Sequence, residues 1–259
     1  TINNIKKNNP NAIVVAMGCF CQFKNTEVEN LIDAEIIVGN KDKSKILDYI
    51  EEYEKTNQRI IKFYDMEKIE FEDMEIKRFT HHKRAFIKIE DGCNNFCSYC
   101  IIPYVRGRVR SKDFNKVLIE VNDLALNAHK EIVLSGIHTG QYYSDNKRLS
   151  DLINKISEVE AIKRIRLSSV EIVELDEKMM DILENNDKFV SHLHIPLQAG
   201  SDDVLKSMNR RYDIKWFKNK VEEIKKIRPD ISLSTDVIVG FPGETDENFE
   251  DTLKTCEEV

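Results

Sequence analysis

From Ala85 onward the sequence alternates short apolar, β-branched runs with longer amphipathic stretches, and it does so five times. The runs are AFIKIEDG from Ala85, EIVLSG at 131–136, RIRLSS at 164–169, FVSHLHIPLQ at 189–198 and ISLSTDVIVGF from Ile231. Helical periodicity fills 113–129, 149–159, 176–185 and 214–227, where Arg228-Pro229 supplies a stop, and resumes from Glu247. Such alternation predicts an α/β fold of parallel strands with right-handed crossovers, in a sheet or a barrel. The polar clusters SGIHTG, SSVE, PLQAGS and GFPGET all fall where strands end. That edge is where parallel α/β folds bind ligands.

A smaller α/β layer precedes this rhythm. NAIVVAM (11–17) and AEIIVG (34–39) read as buried strands and 43–54 as a helix. Residues 56–83 are polar and weakly periodic, which suggests a connection between a first domain at 1–55 and a second at 84–259. The chain opens at Thr1 and closes at Val259 inside a helical pattern, so a fragment cut at both ends is expected.

Composition sets limits on partners. With 259 residues, 41% apolar and 33% charged, the chain reads as soluble and globular. No apolar run approaches the roughly 18 residues of a membrane span. No secretory signal opens the chain, so a cytoplasmic location is expected. The net charge of -7 leaves nucleic-acid contact to a local basic patch.

Six cysteines in such a setting point to metal or redox chemistry rather than disulfides. Cys93, Cys97 and Cys100 form a C-x3-C-x2-C loop directly after the first strand of the repeat. Structural zinc asks for four ligands, and only one C-x2-C pair is present. His81 and His82 stand at the far end of that strand, poorly placed as a fourth. Three thiolates on a four-iron cubane leave one iron open, which is a catalytic feature. A zinc-stabilised RNA-binding module without catalysis is the rival reading.

C-x3-C-x-aromatic-C, with Tyr99 as the aromatic residue, resembles the signature of radical S-adenosylmethionine (SAM) enzymes. The resemblance implies a partial (β/α)6 barrel, here lacking its last strand, with a 4Fe-4S cluster that cleaves SAM reductively. GCNNFCSYCIIPYVRGRVRS, HLHIPLQAGSDDVLKSMNRRY and DVIVGFPGETDENFEDT are together similar to the methylthiotransferases. IVLSGIHTGQYY (132–143), with His138 as the discriminating residue, is most similar to the branch acting on N6-threonylcarbamoyladenosine at tRNA position 37. Isopentenyladenosine-37 or a ribosomal-protein aspartate are the alternative substrates within that family.

The resemblance also implies an N-terminal domain that holds a second, auxiliary 4Fe-4S cluster, of which Cys19 would be the remaining ligand in residues 1–55. It implies tRNA as partner and an electron donor such as flavodoxin or ferredoxin. Cys21 departs from the family pattern and reads as a small buried side chain. Cys256 is expected to be structural.

Other residues are expected around SAM. Ser135 and Gly136 would let its methionine part approach. Glu171 follows the strand RIRLSS, Gln198 ends the next strand and Arg210 follows within the helix. Asp236 stands in an apolar stretch where a buried acid needs a partner. Gly240 and Glu244 are spaced one residue wider than the family's adenine-side motif. Arg106, Arg108 and Arg110 have period two and would share one face of an extended segment, suited to phosphates or to the charge of a cluster.

Overall fold

A computed structural model describes residues 2–23, 33–80 and 82–259. His81 lies outside them. The contacts divide the chain into two compact units, Thr1–Met74 with Ile101–Arg108, and Glu75–Cys100 with Val109–Val259.

The first unit contains α1 (Ile2–Asn8), β1 (Val15–Met17), α2 (Cys19–Phe23), β2 (Ile36–Val38), α3 (Ile46–Thr56) and β3 (Ile60–Lys62). The strands form a parallel sheet in the order β1-β2-β3. β2 is central, and Ile36, Ile37 and Val38 are all fully buried. Burial of both faces is why this strand reads as an unbroken apolar run. Cys21 packs on one face with Val14, Ala16, Ala34 and Ile37. This matches its expected buried role, and burial pushes its thiol up. β3 falls inside the stretch expected to be a connection. α4 (Ile102–Arg106), which follows the cysteine loop in the chain, also belongs to this unit.

The second unit carries the five-fold rhythm. Its first part holds β4 (Arg84–Lys88), β5 (Glu90–Asp91), β6 (Arg110–Ser111), α5 (Phe114–Leu126) and β7 (Glu131–Ser135). The small hairpin β8 (Tyr143–Ser144) and β9 (Lys147–Arg148) leads to α6 (Leu149–Ser157), β10 (Arg164–Leu167) and α7 (Glu177–Asn185). Next come β11 (His192–His194), α8 (Asp202–Ser207), α9 (Ile214–Ile227), β12 (Ser232–Ser234) and α10 (Asp246–Glu258). β4, β7 and β10 pair in parallel, as do β11 and β12. A parallel bridge between Ile165 and Phe189 joins the two groups, so five strands neighbour one another in chain order. This is the expected parallel βα succession.

Helix ends follow their caps. Asp113, Asp176 and Asp213 accept main-chain N–H bonds in the first turns of α5, α7 and α9. Strands are shorter than expected. Only His192–His194 of the fourth run is regular, because Pro196 lacks a donor and Gln198 takes φ 68°. On β4, Ala85 and Ile87 turn into the core while Arg84 and Phe86 stay exposed on the other face. On that other face Glu131 accepts from Arg164 Nε at 2.8 Å and Arg166 Nε at 3.2 Å. Among the described residues no helix is long and apolar enough to cross a membrane.

Candidate metal centre

The cysteine loop begins where β5 ends. Gly92 turns the chain at φ 86°, and its N–H bonds Asp91 Oδ1 at 2.9 Å. Within the loop, Cys100 N–H donates to Cys97 O at 2.9 Å, and Asn95 N–H donates to Cys93 Sγ at 3.4 Å. The turn after α8 anchors it from the other side. Ser98 N–H and Oγ–H reach Met208 O and Ser207 O at 3.1 and 2.8 Å. Asn209 Nδ2 donates to Phe96 O at 3.0 Å. A loop held this way presents its thiols from a fixed backbone at the strand-end edge of the unit.

Each of two thiols has its own neighbours. Arg210 Nη1 lies 3.5 Å from Cys97 Sγ. The same guanidinium is held by both oxygens of Glu171, with Nη1 to Oε1 at 3.0 Å, and by Tyr212 Oη at 3.1 Å. Tyr212 in turn donates to Leu197 O at 2.8 Å, and burial pushes its phenol up to about 12. Tyr99 bonds Cys97, and burial is the main cause that raises its phenol. The expected residues Cys97, Tyr99, Glu171 and Arg210 therefore come together.

Cys93 meets His138 instead, with Nδ1 at 3.6 Å from Sγ. His138 is buried. Its main-chain N–H donates to Glu90 Oε2 at 2.6 Å, and its Nε2 stands 3.2 Å from Glu174 Oε1 as a charge contact. Burial opposes charge on this imidazole, but Cys93 and Glu174 prevail and raise it to about 9. Burial pushes the Glu90 carboxyl up to about 7. Burial also works against charge on Glu174, yet His138 holds that carboxyl below its usual range. Glu90, Glu174 and Tyr212 escaped the sequence reading. Acids next to Asp91 or in a run of acids look solvated, and no local signal marks them otherwise.

Several expectations are corrected. Arg106, Arg108 and Arg110 do not share an extended face: Arg106 ends α4 and Gly107 turns at φ 75°. Arg106 and Arg108 belong to the first unit, whereas Arg110 lies in the second, 3.4 Å from Asp91 Oδ2. Asp236 is not buried; its side chain is 72% exposed and pairs with His194 Nε2 at 3.3 Å. Glu244 turns back to accept from Gly240 and Phe241 N–H, which ties up its Oε2. Gln198 contributes its main chain, donating to Asp236 O at 2.9 Å. Ser135 O accepts from Ile89 N–H, and Gly136 lies against Glu90.

Cys19 stands in the first unit, after Gly18 at φ 110°. Arg106 Nε donates to its Sγ at 3.3 Å, and Asn40 Oδ1 is 3.9 Å away. Burial opposes ionisation, but these two neighbours prevail and lower the thiol.

Among the described residues no three His, Cys, Asp or Glu side chains converge to seat a single metal ion. A four-iron cubane asks less, since each thiolate binds its own corner iron. The N–H donors on Cys93 and Cys97 suit thiolates, so the loop fits such a cluster.

Residues 87–256 match the family model described as the Radical SAM superfamily. Over 97% of its length the chain is 40% identical to the threonylcarbamoyladenosine tRNA methylthiotransferase MtaB of Bacillus subtilis, and covers 57% of that protein. It is 36% identical to the MtaB of Aquifex aeolicus over its whole length, covering 63% of that relative. At the same 36% it resembles the tRNA-2-methylthio-N(6)-dimethylallyladenosine synthase of Clostridium botulinum, covering 58%. The chain thus spans about three fifths of these relatives. Among solved structures, the cobalamin-dependent SAM radical enzyme OxsB aligns over 98% of this chain and 40% of its own, at TM-score 0.66 and 12% identity. The methyltransferase TsrM of Kitasatospora setae aligns over 67% of this chain and 34% of its own, at TM-score 0.56 and 16% identity. These two speak for the fold. The cysteine loop at the edge of a parallel α/β unit and the family match over that unit lead to one assignment: the chain belongs to the radical SAM superfamily.

Proposed function

We propose that this chain is the catalytic portion of a tRNA methylthiotransferase that converts N6-threonylcarbamoyladenosine at position 37 to its 2-methylthio derivative. The observation that carries the reading is the cysteine loop with Arg210 on Cys97 and His138 on Cys93, in a chain whose relatives include enzymes of that name. When bound, the cluster and SAM supply the one-electron chemistry that activates an unreactive C–H bond.

The protein's own part is to bind and orient. Cys93, Cys97 and Cys100 hold the cluster. Arg210 offsets thiolate charge at Cys97, and its clamp on Glu171 fixes that carboxylate at the end of β10. Glu171 then offers acceptor oxygens to the ammonium or hydroxyl groups of SAM. Ser135 and Gly136 form the strand end beside it. Cys19, with Arg106 donating to its sulfur, stands ready as a ligand of the auxiliary cluster. A tRNA substrate places the enzyme in the cytoplasm, with a small redox protein such as flavodoxin or ferredoxin as electron donor.

Nucleoside analysis of tRNA from a strain lacking the gene tests the reading. The expected result is loss of the 2-methylthio group from threonylcarbamoyladenosine, with the unthiolated nucleoside retained. Loss confined to the isopentenyl nucleoside overturns the substrate and favours the second reading, which the Clostridium botulinum relative supports. After anaerobic reconstitution, zinc without iron would overturn the radical SAM reading, whereas about four irons per site with matching sulfide are expected.

A further inference from the structure

A buried acid holds the His138 main chain and a half-buried one, Glu174, stands beside its ring, while the ring faces a thiol; the proposed reaction uses none of these three residues directly. Glu90 opens the two-residue strand β5, next to Asp91, and is 0% exposed. One of its oxygens accepts the His138 main-chain N–H at 2.6 Å. The other is buried with no hydrogen-bond partner. Gly136 is what admits the carboxyl, since a Cβ there would lie 2.8 Å from Glu90 Oε2. Gly140 does the same for Glu174, where a Cβ would lie 2.5 Å from the Glu174 Cβ. His138 is 4% exposed, with Nδ1 3.6 Å from Cys93 Sγ.

Stability alone is a poor account of this arrangement. A buried carboxyl with one oxygen unsatisfied costs free energy, and an apolar side chain would fill the same space more favourably. What the acid does achieve is a fixed main chain at residue 138, and so a fixed ring. Outer-shell partners orient ligands in this way and tune the metal they hold.

We propose that Glu90 is a positioning residue acting through His138: it pins the His138 main chain so that the Nδ1–H donates to Cys93 Sγ, and this N–H···S bond sets the reduction potential of the iron-sulfur cluster held by Cys93, Cys97 and Cys100. The inference rests on the reading of that loop as a cluster site. The bond requires a proton on Nδ1, because a thiolate sulfur can only accept. A donor on sulfur draws off electron density and favours the reduced cluster, so its removal lowers the potential.

The test is a redox titration of the anaerobically reconstituted full chain, followed by electron paramagnetic resonance, with iron and sulfide measured on each sample. His138→Leu should shift the potential downward. His138→Asn, whose amide N–H replaces Nδ1–H, should return it towards the parent value. Glu90→Leu should follow His138→Leu, and Glu90→Gln should follow the parent because its carbonyl still accepts the N–H. Full iron with an unmoved potential in His138→Leu overturns the proposal. Should the variants not fold, the unsubstituted chain labelled with 15N-histidine decides. A histidine coupling in the reduced cluster is expected, and its absence overturns the proposal. A chain that assembles no cluster overturns the underlying reading as well, and the iron analysis shows that separately.

Discussion

Arg210 shows how one side chain can carry both packing and chemistry. Its side chain is 3% exposed and is held by Glu171 on one side and Tyr212 on the other. Arg210→Met strands Glu171 in a partly buried place, so a loss of about 3 kcal/mol is expected in thermal denaturation. The double variant Arg210→Met/Glu171→Leu should recover most of it, because the stranded charge is gone. Glu90 makes a pH prediction of definite sign. Its carboxyl rises from 4.5 to about 7 in the fold, so between those values the native state keeps a proton that the unfolded chain has released. Stability therefore falls as pH rises through that window and stays lower above it. Glu90→Gln should flatten this fall, which is on the order of 1–3 kcal/mol; melting curves at pH 5 and pH 8 check it. The cysteine loop was legible because its spacing is rigid local information. Glu90 was not, since only the fold decides that it is buried while neighbouring acids are not. Asp236 was misread for the converse reason: an apolar run implies burial only where a strand continues, and β12 ends two residues earlier.

At the scale of elements, legibility tracked the strength of start and stop signals. α9 matches its expected span from Ile214 to Ile227, with Asp213 capping it and Pro229 ending it. The five-residue helices α2 and α4 left no trace, as each is little more than one turn and too short for a 3.6-residue pattern. The arginine run failed at the same scale. Alternation suggested a strand, but Pro103 in the first turn of α4 and Gly107 after it make a helix and a turn. Gly107 has φ 75°, and a Cβ there would stand 2.1 Å from Met66 O. Gly107→Ala should therefore destabilise the first unit by about 1–3 kcal/mol. Hydrogen exchange should show faster opening in β1 to β3 and α4, with β4, β7 and β10 unchanged.

On the scale of the molecule, the five strands of the second unit follow chain order, which is why the alternation in sequence translated into a sheet. The first unit is different. It is completed by Ile101–Arg108, a segment that no composition shift separates from the cysteine loop. Asn40 Nδ2 donates to Val105 O at 2.7 Å, and Val105 is 1% exposed. A chain shortened to residues 75–259 should expose Val105 and bind more of an apolar dye than the intact protein; equal binding would count against this division. The same discontinuity constrains how the protein is made. Domains usually fold as they leave the ribosome, the N-terminal one first. Here the N-terminal unit stays one helix short until Arg108 has emerged, and by then Cys93, Cys97 and Cys100 are already out. Synthesis thus releases the three thiols before it releases the last piece of the first unit.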